Sequence, residues 1–480
     1  MAWAGRLRSS SELRAAAAAP YKRIGLKRAI EDSLASRLKT EPRRDTIYAP
    51  ATGVGRAAIS IIRLSGPACD LALEKLTRGA LPAERAATLK TLRDPATDDE
   101  LDRALVLRFP GPHSFTGENM AELHVTGGRA VLAGVIDALA KIEDLRPAEP
   151  GEFALRAFEN GKLDLSQVEG LADLVDAQTE AQRRQALRIA GGALTRECEA
   201  IRALIVEAMA QVEAQIDFSD QEDVDPAGLD EARRLAGGAA ERISRTLASA
   251  RSGERLRDGF NVVIAGPPNV GKSTLMNAIA RRDVSIVSAL PGTTRDAIEV
   301  HLDLRGYPVN LVDTAGIRET DDPIENEGIA RARRRALEAD LTLWLTEREG
   351  HPAYDRQTTH GAIFEVRTKV DLGTEAIAPG AIAVSAKTGQ GFNQLLDAIA
   401  DFAELQLAGD GPALITLTRH RVAFEEALAH LARLRDHANA APEFMAEDLR
   451  LAARALERIA GRVDVEEVLG AIFSRLCIGK

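Results

Sequence analysis

The chain has 480 residues, 45% apolar and 28% charged, with a net charge of −10, which leaves room for about three domains that each bury a core. No apolar run approaches the ~20 residues of a membrane span, and the acidic balance excludes wrapping nucleic acid over a wide surface, because phosphate neutralisation supplies most non-specific affinity. Cys69, Cys198 and Cys477 have no metal-ligand spacing, which excludes a zinc site and a disulfide framework and suits a reducing compartment.

Residues 1–44 carry eleven Lys and Arg against four acids, with an alanine run from Ala15 to Ala19. A mitochondrial targeting arm is one reading, which Glu12, Glu31, Asp32 and Glu41 count against. A disordered or wrongly included leader is the favoured one, with the protein cytoplasmic.

From Asp45 to about Asn160, short strands (Ala58 to Leu64, Leu105 to Phe109, Ala121 to Val125) mix with a helix (Ala130 to Ile142). This predicts an α+β domain over residues 45–160. A helical grammar then begins. Ser166 and Glu169 read as a capping box, and Val168, Leu171, Leu174, Val175 and Gln178 as an apolar stripe with a polar end. Helical periodicity continues through Leu194 to Ile216 and Leu229 to Leu256, and returns at His420, Leu449 to Ile459 and Val465 to Leu476. Helices that cannot bury their stripes alone need partners, so residues 161–258 and 406–480 are expected to pack together as one helical domain.

Between those blocks, residues 259–405 alternate strands with helices: Val262 to Ala265, Val309 to Val312, Leu341 to Leu345, Ile363 to Val366 and Ile382 to Val384. The pattern predicts an inserted, doubly wound, mostly parallel sheet. Its first strand runs into Gly266-Pro267-Pro268-Asn269-Val270-Gly271-Lys272-Ser273-Thr274 and then a helix, the arrangement of a phosphate-binding loop. Gly266 and Gly271 allow successive backbone N–H groups to face inward. The helix N-terminus and Lys272 neutralise phosphate oxygens, and Ser273 offers a hydroxyl to Mg²⁺.

Further along come Gly292-Thr293-Thr294-Arg295-Asp296, Asp313-Thr314-Ala315-Gly316, Thr368-Lys369-Val370-Asp371 and Ser385-Ala386-Lys387. Their order and spacing resemble the consensus elements of the translation-factor-like GTPases. Asp313 can hold Mg²⁺ through water, Thr294 is the natural second hydroxyl on Mg²⁺, and the Gly316 N–H can meet a γ-phosphate. The Asp371 carboxylate can accept from the N1–H and N2–H₂ edge that adenine lacks. Thr368 stands where that pattern has asparagine, which removes one base contact.

Two positions bear on hydrolysis. After Gly316, Ras-like proteins carry a water-orienting glutamine; Ile317 cannot do that work, so a carboxylate among Glu319, Asp321, Asp322, Glu325 and Glu327 is a candidate. Asn269 can coordinate a monovalent cation beside the nucleotide, in the charge role of an arginine finger, or be an inert loop residue. Arg295 and Arg318 are exposed candidates for a finger. The arginines of residues 331–335 read as a solvated helix face rather than an RNA contact.

Four stretches outside the inserted domain carry a wider resemblance: Cys477-Ile478-Gly479-Lys480, Asn160-Gly161-Lys162-Leu163-Asp164-Leu165, Phe115-Thr116-Gly117-Glu118 and Ile62-Arg63-Leu64-Ser65-Gly66. With the GTPase insertion, the chain from about Asp45 to Lys480 resembles the MnmE/TrmE family of tRNA wobble-uridine modification GTPases. The resemblance implies a first domain similar to folate-binding aminomethyltransferase domains, which also dimerises, and a potassium-dependent G domain that pairs across the homodimer. It implies work with the flavoprotein MnmG (GidA) as a heterotetramer, with FAD and NADH on that partner, tRNA as substrate, no membrane, and a tetrahydrofolate derivative (5-formyl or methylene) as one-carbon source.

Carried over by motif, the nucleotide-binding set implied is Asn269 to Thr274, the loop Ser288, Ala289, Leu290, Pro291, Gly292, Thr293 and Thr294, then Asp313, Thr314, Ala315, Gly316, Thr368, Lys369, Asp371, Ser385, Ala386 and Lys387. Asn269 and Thr293 become potassium ligands with the backbone carbonyls of Ser288 and Leu290. Glu325 falls on the family's catalytic glutamate, with Lys272 and Cys477 as further catalytic candidates. Arg63, Glu122, Lys162 and Lys480 become folate contacts, whose chemistry is sensible because a carboxylate accepts from a pterin ring and the glutamate tail needs cations. Leu476 replaces the usual phenylalanine before Cys477. A ribosome-assembly or other RNA-binding factor with the same G domain is the rival reading, and a first domain that only dimerises is a third.

Overall fold

The computed structural model describes residues 45–53, 55–217, 227–267, 269–282, 285–286, 299–313, 339–347, 361–373, 379–408, 413–436, 441–463 and 479. The chain divides into two compact units, Met1–Leu163 with Asp464–Lys480, and Asp164–Val463. The architecture is multidomain α/β, as the sequence predicts.

The first unit holds β1 (Thr46–Pro50), β2 (Ile59–Ser65), α1 (Cys69–Thr77), β3 (Thr88–Arg93), β4 (Glu100–Phe109), β5 (Met120–Thr126), α2 (Arg129–Leu139), β6 (Leu145–Pro147) and α3 (Glu152–Glu159). One mixed sheet runs β3-β4-β5-β2-β1-β6, with β1 and β6 its parallel pair. Strand side chains alternate between faces. Ile62, Leu64, Val106, Leu123 and Val125 therefore share a core with Leu73 and Leu76 of α1 and with Val135 and Leu139 of α2. The alternate positions Ile59, Leu89 and Leu105 are exposed on the other face, which also carries the cross-strand pair Arg63 and Glu122.

A buried ionic cluster closes one edge of this unit. Arg156 of α3, 1% exposed, donates to Glu118, Glu152 and Asp45, while Arg146 donates to Glu152 and Asp45. Burial opposes ionisation of Glu152, but Arg146, the Glu149 N–H and Arg156 win and pull its pKa down to about 2.

The second unit begins with α4 (Leu165–Asp176), α5 (Glu180–Ala190), α6 (Ala193–Asp217), α7 (Ala227–Ala248) and α8 (Ala250–Asp258). It continues with β7 (Phe260–Ala265), α9 (Lys272–Ala280), β8 (Ser285–Ile286), β9 (Glu299–Leu304), β10 (Tyr307–Asp313), β11 (Leu341–Thr346), β12 (Ala362–Arg367), β13 (Ile382–Ala383) and α10 (Phe392–Leu407). It closes with α11 (Thr418–Asp436) and α12 (Pro442–Ala460). Ile201, Ile205 and Val212 of α6, Ile243 of α7, Phe424 of α11 and Leu449 and Leu456 of α12 form one core. The two helical blocks thus bury each other's stripes. The sheet between them runs β13-β12-β11-β7-β10-β9-β8, parallel from β13 to β10. The antiparallel β9 and β8 edge was not anticipated.

Two sequence expectations need correction. The capping box of α4 is Asp164 with Gln167, not Ser166 with Glu169. Asp164 accepts the Gln167 N–H at 2.9 Å, and the Gln167 side chain accepts the Asp164 N–H at 3.0 Å. The stripe is also displaced: Val175 is exposed and Gln178 lies past the helix, while Ser166 and Glu169 are buried. Glu169 faces inward because Arg419 and His420 of α11 supply charged and ring donors to it. The helical periodicity of Leu229 to Leu256 is carried by two helices, parted at Ser249.

The sheet is rooted in the helices through α5. Gln182 Nε2 donates to the Arg257 carbonyl (3.0 Å), Gln185 Nε2 to that of Gly253 (3.1 Å), and the Ala181 N–H to that of Gly306 (3.0 Å). Arg257 pairs with Asp173 of α4 at 2.8 Å.

Candidate functional site

Strand β7 is central and ends where its neighbours β10 and β11 also end, so the phosphate loop emerges at the carboxyl edge of parallel strands, the usual place for a ligand in such sheets. A Cβ on Gly266 would lie 2.6 Å from the Leu345 carbonyl oxygen, so the loop leaves β7 against the wall of β11. Gly271 (φ 103°) and Asn269 (φ 63°) take left-handed conformations that turn the chain into α9.

Side chains bond four of the loop carbonyls. Lys272 Nζ lies 2.9 Å from each of the Gly266 and Pro267 carbonyls, Lys369 Nζ 3.0 Å from that of Asn269, and Thr368 Oγ1 2.8 Å from that of Val270. Across a trans peptide the N–H points opposite to its carbonyl. For Asn269 and Val270, capping the carbonyl therefore turns the next N–H, that of Val270 and of Gly271, to the opposite side, where an anion would sit; the Gly266 and Pro267 carbonyls are followed by prolines and have no N–H to aim.

Ser273 Oγ donates to Asp313 Oδ2 at 2.6 Å, and Asp313 is 3% exposed at the end of β10. Two hard oxygens side by side beneath the loop fit a magnesium ion, held by the hydroxyl and, through water, by the carboxylate.

Beside the loop is a cavity of 190 Å³ whose lining includes Gly271, Thr274, Thr368, Asp371, Ala386 and Lys387. Thr368 is buried, its hydroxyl placed to bond Val270 O and, at 3.2 Å, Thr346 O. It keeps the tie to the phosphate loop but spends its donor doing so. Asp371 accepts from Ser385 Oγ at 2.6 Å, and Ser385 Oγ also accepts the Thr388 N–H at 3.2 Å. The carboxylate is oriented before any base arrives.

The candidates Ser288, Ala289, Leu290, Pro291, Gly292, Thr293, Thr294, Thr314, Ala315, Gly316, Glu325, Cys477 and Lys480 lie outside the described residues, as do Ile317 and the arginines of residues 331–335.

In the first unit, Arg63 Nη2 sits 3.0 Å from Glu122 Oε1, and its guanidinium lies over the rings of Phe115 and Phe153. Arg63 Nη1 also reaches the Gly479 carbonyl at 3.4 Å. Gly479 has φ 101°, and a Cβ there would lie 2.2 Å from the Pro50 carbonyl oxygen, so the penultimate residue fits closely against β1. Lys162 covers Gly117. The structure thus brings Arg63, Glu122 and Gly479 together.

Sequence reasoning passed over His124, whose Nε2 lies 3.3 Å from Glu122 Oε2. Its place two residues along β5, on the same face as Glu122, was the available signal. It also passed over Glu347, which follows β11 at the edge where the phosphate loop opens. Cys69 and Cys198 are buried, and burial pushes both thiols well above their ordinary range, so neither is a nucleophile at neutral pH.

Two family models match: the MnmE helical domain over residues 165–477 and the GTP-binding protein TrmE N-terminus over residues 46–162. A tRNA modification GTPase MnmE from Methylobacterium sp. strain 4-46 is 55% identical over 91% of this chain and 100% of its own length. The chain belongs to the MnmE family of tRNA modification GTPases. Proteins of the same name from Beijerinckia indica subsp. indica (52% identity, 91% of this chain and 96% of that one) and Rhodopseudomonas palustris strain BisB5 (50%, 92% and 100%) are similarly related. Among solved structures, the G domain of the T. maritima FeoB iron transporter matches 30% of this chain and 98% of its own at 24% identity, with a TM-score of 0.21. The MnmE helical model spans both helical blocks and the sheet between them.

Proposed function

We propose that this MnmE-family GTPase is potassium-dependent and activated by dimerisation. With the flavoprotein MnmG (GidA) and a tetrahydrofolate one-carbon unit, it builds an aminomethyl or carboxymethylaminomethyl group on C5 of the wobble uridine of tRNA. The observation that carries the nucleotide half is the loop whose Asn269 and Val270 carbonyls are capped by Lys369 and Thr368, together with the Ser273 and Asp313 oxygen pair. In this reading Lys272 meets the outer phosphate oxygens, Asp371 selects guanine, and Ser273 with Thr294 holds Mg²⁺, which supplies charge neutralisation between the phosphates when bound. Asn269 with Thr293 and the carbonyls of Ser288 and Leu290 would hold K⁺. Glu325 orients the attacking water through a second water, since Ile317 cannot.

Support for the folate half is the cluster of Arg63, Glu122, Phe115 and Phe153 with the Gly479 carbonyl beside it. A carboxylate held by an arginine fits a ring bearing N–H donors, and Lys162 and Lys480 suit an anionic tail. Cys477 is the thiol candidate for the one-carbon step. FAD and NADH belong to the partner, the assembly is a heterotetramer, and the site of action is the cytoplasm. Among the described residues no helix is long and apolar enough to cross a membrane.

Comparing GTP turnover in potassium and in sodium tests the first half: faster turnover in potassium is expected, and equal rates would remove Asn269 from its role. Titration with folinic acid tests the second. Absence of binding, with co-sedimentation on ribosomal subunits, would move the assignment to an assembly factor.

A further inference from the structure

The phosphate loop and the base-recognition loop are tied by two adjacent side chains, Thr368 and Lys369, which cap the adjacent carbonyls of Val270 and Asn269. Thr368 is short and buried, so its bond is fixed by its surroundings. Lys369 is a long, mobile side chain, and a neutral carbonyl alone holds an ammonium weakly against the entropy of four rotatable bonds. Its second partner is Glu347, whose Oε2 lies 2.9 Å from Lys369 Nζ. Glu347 directly follows β11, and β11 is the strand whose Leu345 carbonyl walls Gly266.

The geometry points to Glu347 as a positioning residue that governs nucleotide release. It touches neither base nor phosphate. It holds Lys369 over the Asn269 carbonyl, which keeps that peptide's N–H turned toward the phosphate side, and it places the lysine stem across Gly271, whose missing Cβ would lie 4.0 Å from Lys369 Cε. Asn269 sits at φ 63°, a left-handed conformation that asparagine tolerates better than most side chains and that its neighbours help to hold. The clasp from Glu347 through Lys369 is one such hold. Losing the carboxylate frees the lysine, leaves the Asn269 peptide uncapped for part of the time, and lets the bound nucleotide escape faster.

This rests on the nucleotide reading of the loop but not on the potassium reading, and the test keeps the two apart. Full-length Glu347→Ala, Glu347→Gln and Glu347→Asp proteins are loaded with a fluorescent GDP analogue and chased with excess GDP at fixed salt and magnesium. GDP carries no γ-phosphate, so the measurement does not depend on hydrolysis. Release is expected to be about fivefold faster in the alanine and glutamine variants, the upper range for a half-exposed ion pair. Aspartate is expected to restore most of the wild-type rate, and the gap should shrink at high salt as the pair is screened. The unfolding midpoint of the nucleotide-free protein should be unchanged. A wild-type release rate in Glu347→Ala overturns the proposal, and so does faster release accompanied by a lowered midpoint, which would make Glu347 merely structural. If wild-type protein retains no GDP, the nucleotide reading itself fails instead.

Discussion

The two candidate sites of this chain are built on different plans. The nucleotide site is mostly backbone: the turn from Gly266 to Gly271, whose Val270 and Gly271 N–H groups are aimed by capping the carbonyls before them, with a few side chains added at the ends of parallel strands. The site of the first unit is mostly side chain. Arg63 and Glu122 from neighbouring strands, aromatic rings from a loop and from α3, and the carbonyl of Gly479 meet on an open sheet face. A backbone site is local in sequence and tolerant of its surroundings. A side-chain site depends on whatever holds distant segments in register.

The difference can be broken first at Glu152, where the largest effect is expected. Glu152 is 2% exposed and neutralises Arg146 and the buried Arg156. Removing one member of such a cluster leaves uncompensated buried charge, about 3–5 kcal/mol. Glu152→Gln should therefore strip amide hydrogen-exchange protection from β1, β2 and α3 and abolish folinic acid binding, while protection in β7 and α9 and GTP binding persist. Loss of protection in β7 as well would mean that the sites are not separately built. Lys272→Ala is the converse experiment. It removes one preorganised charge contact from the phosphate loop and should lower turnover by about 10² to 10³, with folinic acid binding intact in the same preparation.

The same contrast explains what the sequence disclosed. The phosphate loop is legible because its function lies in consecutive residues, and Ser273 and Asp313, both read as reaching one magnesium ion, do lie side by side. Arg63 and Glu122 are 59 residues apart, and no periodicity says that β2 and β5 pair with these two in register. They entered only through a resemblance. The misplaced capping box of α4 has a similar cause. Ser166 and Glu169 satisfy the local rule, yet both are buried by partners on α11 and α6, and tertiary partners outrank local pattern. Glu347 was passed over because an acid after a strand is ordinary until Lys369 is seen beside it.

A finer test falls on Thr368, which replaces asparagine at the seam between phosphate loop and base cavity. Its hydroxyl bonds the Val270 carbonyl, a contact of ordinary strength, so Thr368→Val should weaken GDP binding by about two- to tenfold. Thr368→Asn should keep the tie and gain a base contact, raising affinity in a calorimetric titration. If valine binds GDP as wild type does, capping of the loop is not what aims its N–H groups, and the backbone plan loses its support.

A pH-dependent test concerns the joint between the sheet and the helices, where Asp173 of α4 meets Arg257 at the end of α8. Burial dominates here and lifts the Asp173 pKa from its ordinary 3.8 to about 6, with Arg257 offsetting part of the cost and Glu169 and Asp258 adding to it. A carboxyl whose folded pKa is raised binds its proton more tightly when folded. Its favourable contribution is therefore complete below about pH 4 and is lost as pH rises through 6. Glu169, one turn earlier, has the opposite sign: His420 and Arg419 hold its pKa below the ordinary value despite burial, so its contribution is lost as pH falls. The whole protein shows the sum, and the single substitution Asp173→Asn isolates one part of it. The stability of wild type relative to Asp173→Asn, measured by urea unfolding of the second unit through Trp344 fluorescence, should decline between pH 4 and pH 6 and level off above. A flat difference across that window would mean that Arg257 and solvent already satisfy the carboxylate, and that the joint carries no buried charge penalty.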